Sequence, residues 1–140
     1  MGMMPLLLFF FFTIPFLGIP ASAEQQESKN LIQKEMIALD GALKVTVDAI
    51  VLNEPERIVP AFQEANRIRE QVEHTIKSGA KIVLPKNQKR FKEFVRLDNK
   101  FHRDLELLLK AAGKNNMGVV QRQTHRLLDA CVRCHRIFRK

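Results

Sequence analysis

Apolar residues recur at Ile32, Met36, Leu39, Leu43, Val47 and Ile50, in steps of four, three, four, four and three, tracing one face of a helix. Lys34, Glu35, Lys44 and Asp48 fall off that stripe. "NEPE" at 53–56 breaks the pattern, because proline biases the residue before it away from helical geometry. A second stripe runs through Ile58, Phe62, Ala65, Ile68, Val72 and Ile76, with Pro60 tolerated in the first turn and Gly79 as the stop. The connection "SGAKIVLPKNQK" carries a short apolar patch at 82–84 and reads as a loop packed onto the helices.

A third stripe carries Phe91, Phe94, Val95, Phe101, Leu105 and Leu108, and ends at "AAGKNN", where Gly113 is expected to take a left-handed cap. The fourth begins near Asn115 or Asn116, both good N-caps, and continues through Val120, Leu127, Cys131, Cys134 and Phe138. No segment alternates as a strand does. Four helices with short connections predict an all-α fold, an antiparallel up-and-down four-helix bundle.

The amino terminus changes the setting. "MGMMPLLLFFFFTIPFLGIPASA" is an apolar run interrupted by proline and closed by a small-residue triplet, the form of a secretory signal peptide over residues 1–23, with cleavage between Ala23 and Glu24. It lacks the usual Lys or Arg before the apolar run, and a retained membrane anchor is the alternative. Residues 24–140 then form one domain in an exported compartment, a periplasmic location for a bacterial chain. The leader holds no charged residue, so the formal charge of +8 stays on that domain. Such a surface favours an acidic protein partner or an anionic membrane, and an exported chain rarely meets nucleic acid.

The two cysteines of the chain stand together in "CVRCHRIFRK". A disulfide between residues three apart in a helix has poor geometry and closes a loop too small to stabilise much. A thioredoxin-like pair follows a strand, and no strand is predicted. Structural zinc requires four ligands, whereas at most three, Cys131, Cys134 and His135, converge here. Cys-x-x-Cys-His in an exported chain reads instead as covalent haem attachment: each thiol adds to one vinyl group, and the following imidazole reaches the iron. Phe138 reads both as a neighbour of the haem edge and as a terminal core residue. His74, His102 and His125 read as surface residues. No acid/base pair or nucleophile constellation argues for catalysis, so the chain is not expected to be an enzyme.

With the attachment motif on its last helix, the chain resembles the class II c-type cytochromes, the cytochrome c′ and cytochrome c-556 family. The resemblance rests on "CVRCHRIFR", on "AAGKNNMGVVQRQTHRLLDACVRCH" and on "MIALDGALKVTVDAIV". It implies a four-helix bundle with haem c on the C-terminal helix, thioethers at Cys131 and Cys134, and His135 as proximal iron ligand. Met36 matches the distal position, where a methionine either ligates iron or covers an open sixth site. Arg139 matches the basic residue bordering the proximal face. Many relatives carry an arginine one turn before the distal residue; here Ile32 stands there. The implied function is periplasmic electron transfer through Fe(III)/Fe(II) cycling with acidic redox partners. The alternative is a five-coordinate site that binds or detoxifies nitric oxide or carbon monoxide, with Ile32, Leu39 and Phe101 as apolar walls. Family members often pair as dimers through their first two helices.

Overall fold

A computed structural model describes the backbone of residues 21–139 and the side chains of residues 31–139. The expected signal peptide lies outside the described residues apart from its last three. Four long helices account for most of the described chain: α1 (Ala21–Leu52), α3 (Gln63–Lys77), α4 (Phe91–Ala112) and α5 (Met117–Phe138), with the single-turn α2 (Ile58–Ala61) between the first two. No strand occurs among the described residues, and no helix there is long and apolar enough to cross a membrane.

The terminators follow from local chemistry. After α1, Asn53 adopts a left-handed φ of 56°, and the Glu54 N–H donates to the Ala49 carbonyl at 2.8 Å. Pro55 then opens a 3-10 turn, where its missing N–H costs nothing. The second stripe, expected as one helix, is divided at Phe62. Pro60 lacks an N–H and its ring crowds the preceding turn, so the Phe62 N–H turns to the nearer Val59 carbonyl at 3.3 Å before α3 begins. Gly79 closes α3 with a left-handed φ of 81°.

Gly113 does not take the left-handed cap expected of it. It stays right-handed at φ −62°, and Asn115 makes the reversal at φ 53°. Asparagine tolerates that region because its short side chain is polar and unbranched, and the turn lets the Asn116 N–H reach the Ala111 carbonyl. Asn116 then caps α5, its side-chain oxygen accepting from the Val119 N–H at 3.2 Å.

Two apolar clusters form inside this frame. The larger joins α1, α2, α4 and α5 around Leu39, Leu43, Ile58, Phe62, Phe101, Leu105, Leu108 and Leu127. The smaller joins Ile32, Val72, Ile82, Leu84, Phe94 and Phe138. The loop patch packs onto the helices as expected: Gln88 accepts from the Leu84 N–H at 2.7 Å and donates to the Ile82 carbonyl at 3.0 Å, pinning both residues in the smaller cluster. Phe94 and Phe138 meet there edge to face, with centroids 5.5 Å apart.

The buried face of α1 is not quite the stripe read from apolar residues. Val47 is exposed, whereas Ile32, Glu35, Leu39, Ala42, Thr46 and Ala49 are buried, again in steps of three and four. Small residues at 42 and 49 let neighbouring helices approach closely. Thr46 satisfies its hydroxyl by donating to the Ala42 carbonyl at 2.8 Å. A carboxylate therefore lies inside the molecule.

Candidate functional site

α5 carries Cys131, Cys134 and His135 half-buried on one side of the helix, as spacings of three and four require. Both cysteines are free. Cys131 packs against the larger apolar cluster and Cys134 against the smaller, so the pair straddles the boundary between them. Burial pushes both thiols up, Cys134 to about 11 with the added repulsion of Asp98, and both are protonated at neutral pH. Burial and then the Arg139 guanidinium hold His135 below its ordinary value, which keeps the imidazole neutral and its nitrogen lone pair available.

On α1, Met36 is half-buried against the larger cluster while Ile32 belongs to the smaller. Leu39 and Phe101, also expected as walls, are buried in the larger cluster. Arg139 leaves the end of α5 exposed and extended, its N–H donating to the His135 carbonyl at 3.0 Å. Phe138 is a buried core residue.

The haem expected from the sequence can be tested against this donor set. Two unpaired protonated thiols share a helix face with a neutral imidazole, and apolar side chains flank both thiols. Among the described residues, Cys131, Cys134 and His135 do not gather donor atoms as closely as a small ion requires. Donors spread along a helix face and bordered by apolar walls fit a broad planar group better than an ion, so the residues fit the group.

Between the two clusters lies a second polar constellation that the sequence reading missed. Glu35 of α1 is 1% exposed and His102 of α4 is 4% exposed, which corrects their assignment to the solvent side. Exposed His74 and His125 agree with the surface reading. The Glu35 Oε1 atom stands 3.1 Å from His102 Nε2, and Asp98 Oδ1 stands 3.5 Å from the same nitrogen. Arg69 of α3 places Nη1 3.6 Å from the other Asp98 oxygen, and binds Glu73 through Nη2 at 2.7 Å. Burial raises Glu35 to about 7 despite Arg69; Asp98 is raised to about 6 by burial and then by the charge of Glu35.

A signal for this cluster was present in the sequence. Glu35 sits three residues after Ile32 and four before Leu39, and Asp98 and His102 are one turn apart, His102 three residues before Leu105. Comparison of the chain with protein-family models, curated proteins and solved structures finds no match.

Proposed function

We propose that the chain is an exported, periplasmic c-type haem protein of electron transfer, an antiparallel four-helix bundle resembling cytochrome c′ and cytochrome c-556. The observation that carries this reading is the paired placement on α1 and α5. Ile32 belongs to the smaller apolar cluster and Cys134 packs against it, and Met36 and Cys131 flank the larger. The earlier residue of α1 thus matches the later one of α5, as antiparallel neighbours would.

In this reading Cys131 and Cys134 hold haem c by thioethers, His135 ligates the iron, and Met36 is the distal ligand. When bound, the group supplies a one-electron Fe(III)/Fe(II) couple, whose potential depends on axial ligand and burial. The apolar clusters exclude water from the group's faces. The half-exposure of both cysteines leaves an edge within reach of a partner. Arg133, Arg136 and Arg139 are exposed around the attachment segment and favour transient, salt-sensitive docking of an acidic redox protein. Arg139 also adds to the effect of burial in keeping a proton off His135. Exposed Ile37, Val51 and Val59 on α1 and α2 are available for the homodimer that the resemblance implies.

The test is to produce the full chain with haem-maturation machinery and compare oxidised and reduced visible spectra of the wild type and Met36→Ala. Covalent haem with a sharp low-spin reduced band that becomes high-spin in the variant supports electron transfer with Met36 as ligand. High-spin bands unaffected by the substitution and shifted by carbon monoxide support the gas-binding alternative. Absence of covalent haem overturns both.

A further inference from the structure

The Glu35, Asp98 and His102 constellation contains none of the residues read as holding haem, and its geometry is unusual for a core. Their donor atoms all lie within 4.8 Å of one another. Glu35 Oε1 and His102 Nε2 are both buried, face each other across 3.1 Å, and make no hydrogen bond. Buried polar atoms without partners each cost about 1–3 kcal/mol, so two converging on one point require an explanation.

We propose that Glu35, Asp98 and His102 bind one divalent transition-metal ion of the zinc class, at a site separate from Cys131, Cys134 and His135. Three arguments support this. The first is geometric: a tetrahedral ion with ligands at about 2.0–2.1 Å spaces them about 3.4 Å apart, and the two separations at His102 Nε2 are 3.1 and 3.5 Å. Asp98 and His102 are one turn apart on α4, so a single helix face presents both, and α1 supplies the third donor.

The second is charge. Arg69 is shared between Glu73 at 2.7 Å and Asp98 at 3.6 Å, so the two carboxylates of Glu35 and Asp98 are only partly compensated and their remaining negative charge favours a cation. Arg69 stands 3.6 Å from Oδ2 of Asp98, and Oδ1 is the oxygen that stands 3.5 Å from His102, the manner in which an outer partner orients a ligating carboxylate. The third is access: a cleft of about 260 Å³ lined by Asn66, Arg69, Glu70, His102 and Glu106 reaches the outer side of His102, and Glu70 and Glu106 favour the approach of a cation to the closed site behind it. One imidazole with two carboxylates suits zinc better than calcium or magnesium, which take oxygen ligands.

The test uses the full-length haem-loaded protein, equilibrated with zinc chloride and freed of excess. Elemental analysis reads zinc and iron separately, and zinc-edge X-ray absorption reads the shell. One zinc per chain is expected, with nitrogen and oxygen ligands at about 2.0–2.2 Å and no sulfur at about 2.3 Å. Glu35→Gln and His102→Gln should each weaken zinc binding at least tenfold without changing the iron content. Cys131→Ser/Cys134→Ser and His74→Gln/His125→Gln should retain zinc, so failure of the haem reading leaves this one standing. Sulfur in the shell, zinc undiminished in both glutamine variants, or no retained zinc in the wild type overturns the proposal. The absorption result on the wild type depends on no variant folding correctly.

Discussion

The segment around Cys131 and the cluster around Glu35 are both polar chemistry set into an apolar bundle, yet they are built in opposite ways. The first is contiguous, half-exposed and carried by one helix. The second draws Glu35, Arg69, Asp98 and His102 from three helices and is closed to solvent at Glu35 and His102. A local motif can be altered with little consequence for the bundle. A distributed buried cluster is coupled to the stability of every helix that contributes to it, because removing one charge strands another in low dielectric.

That contrast is open to direct attack, and the largest effect expected is on the cofactor. Cys131→Ala/Cys134→Ala should abolish covalent haem altogether, read as haem signal after denaturing electrophoresis, while Arg69→Met leaves it in place. Haem that stays covalently bound in the double variant would remove the attachment reading.

Next in size is the stability cost of disturbing the cluster. Arg69→Met leaves the half-buried Asp98 without its nearest cation, while Glu73 keeps Lys77, and should destabilise the fold by about 3 kcal/mol, measured by urea unfolding. A change near zero would mean that the cluster is no more coupled to the fold than an exposed ion pair such as Lys44–Asp40, whose side chains are 74% and 64% exposed.

A pH series separates the two sites further. In metal-free protein Glu35 sits at about 7 and Asp98 at about 6, above ordinary values of 4.5 and 3.8. Between these limits the folded chain keeps protons that the unfolded chain has released, so their contribution to stability is greatest at acid pH. It is lost as pH rises through about 6 to 7. His135, with a lowered value, acts in the opposite sense, so the informative quantity is the difference between wild type and Glu35→Gln. The wild-type melting temperature should fall by several degrees relative to the variant between pH 5 and pH 8; parallel curves would contradict the burial of a titrating Glu35.

The smallest effect tests α5 away from both sites. Asn116→Ala removes the cap on the Val119 N–H and should cost about 1 kcal/mol, with haem content and zinc content unchanged.

Much of the fold was legible because periodicity is a local property. The stripes of α3, α4 and α5, the packed loop at Ile82 and Leu84, and the stop at Gly79 follow from spacing and backbone preference within a few residues. The reversal at Asn115 rather than Gly113 depended on how many residues the turn needed before the next helix could pack, while the division at Phe62 has a local cause in Pro60 that the stripe alone does not register. The cysteine motif was legible for the same reason as the stripes: its members are neighbours in the chain.

The buried cluster was not, because apolarity was used to define which face of each helix points inward, and a charged residue was assigned outward by that rule. Glu35 and His102 occupy inward positions by spacing alone, but whether an inward carboxylate is tolerated depends on what faces it. Periodicity along the chain was enough to predict the four long helices and their order, and the placement of Cys131, Cys134 and His135 together on the last of them. That α1, α3 and α4 bring Glu35, Arg69, Asp98 and His102 together emerges only from the folded arrangement, because the energy of a buried charge is set by partners that are distant in the chain and adjacent only after folding.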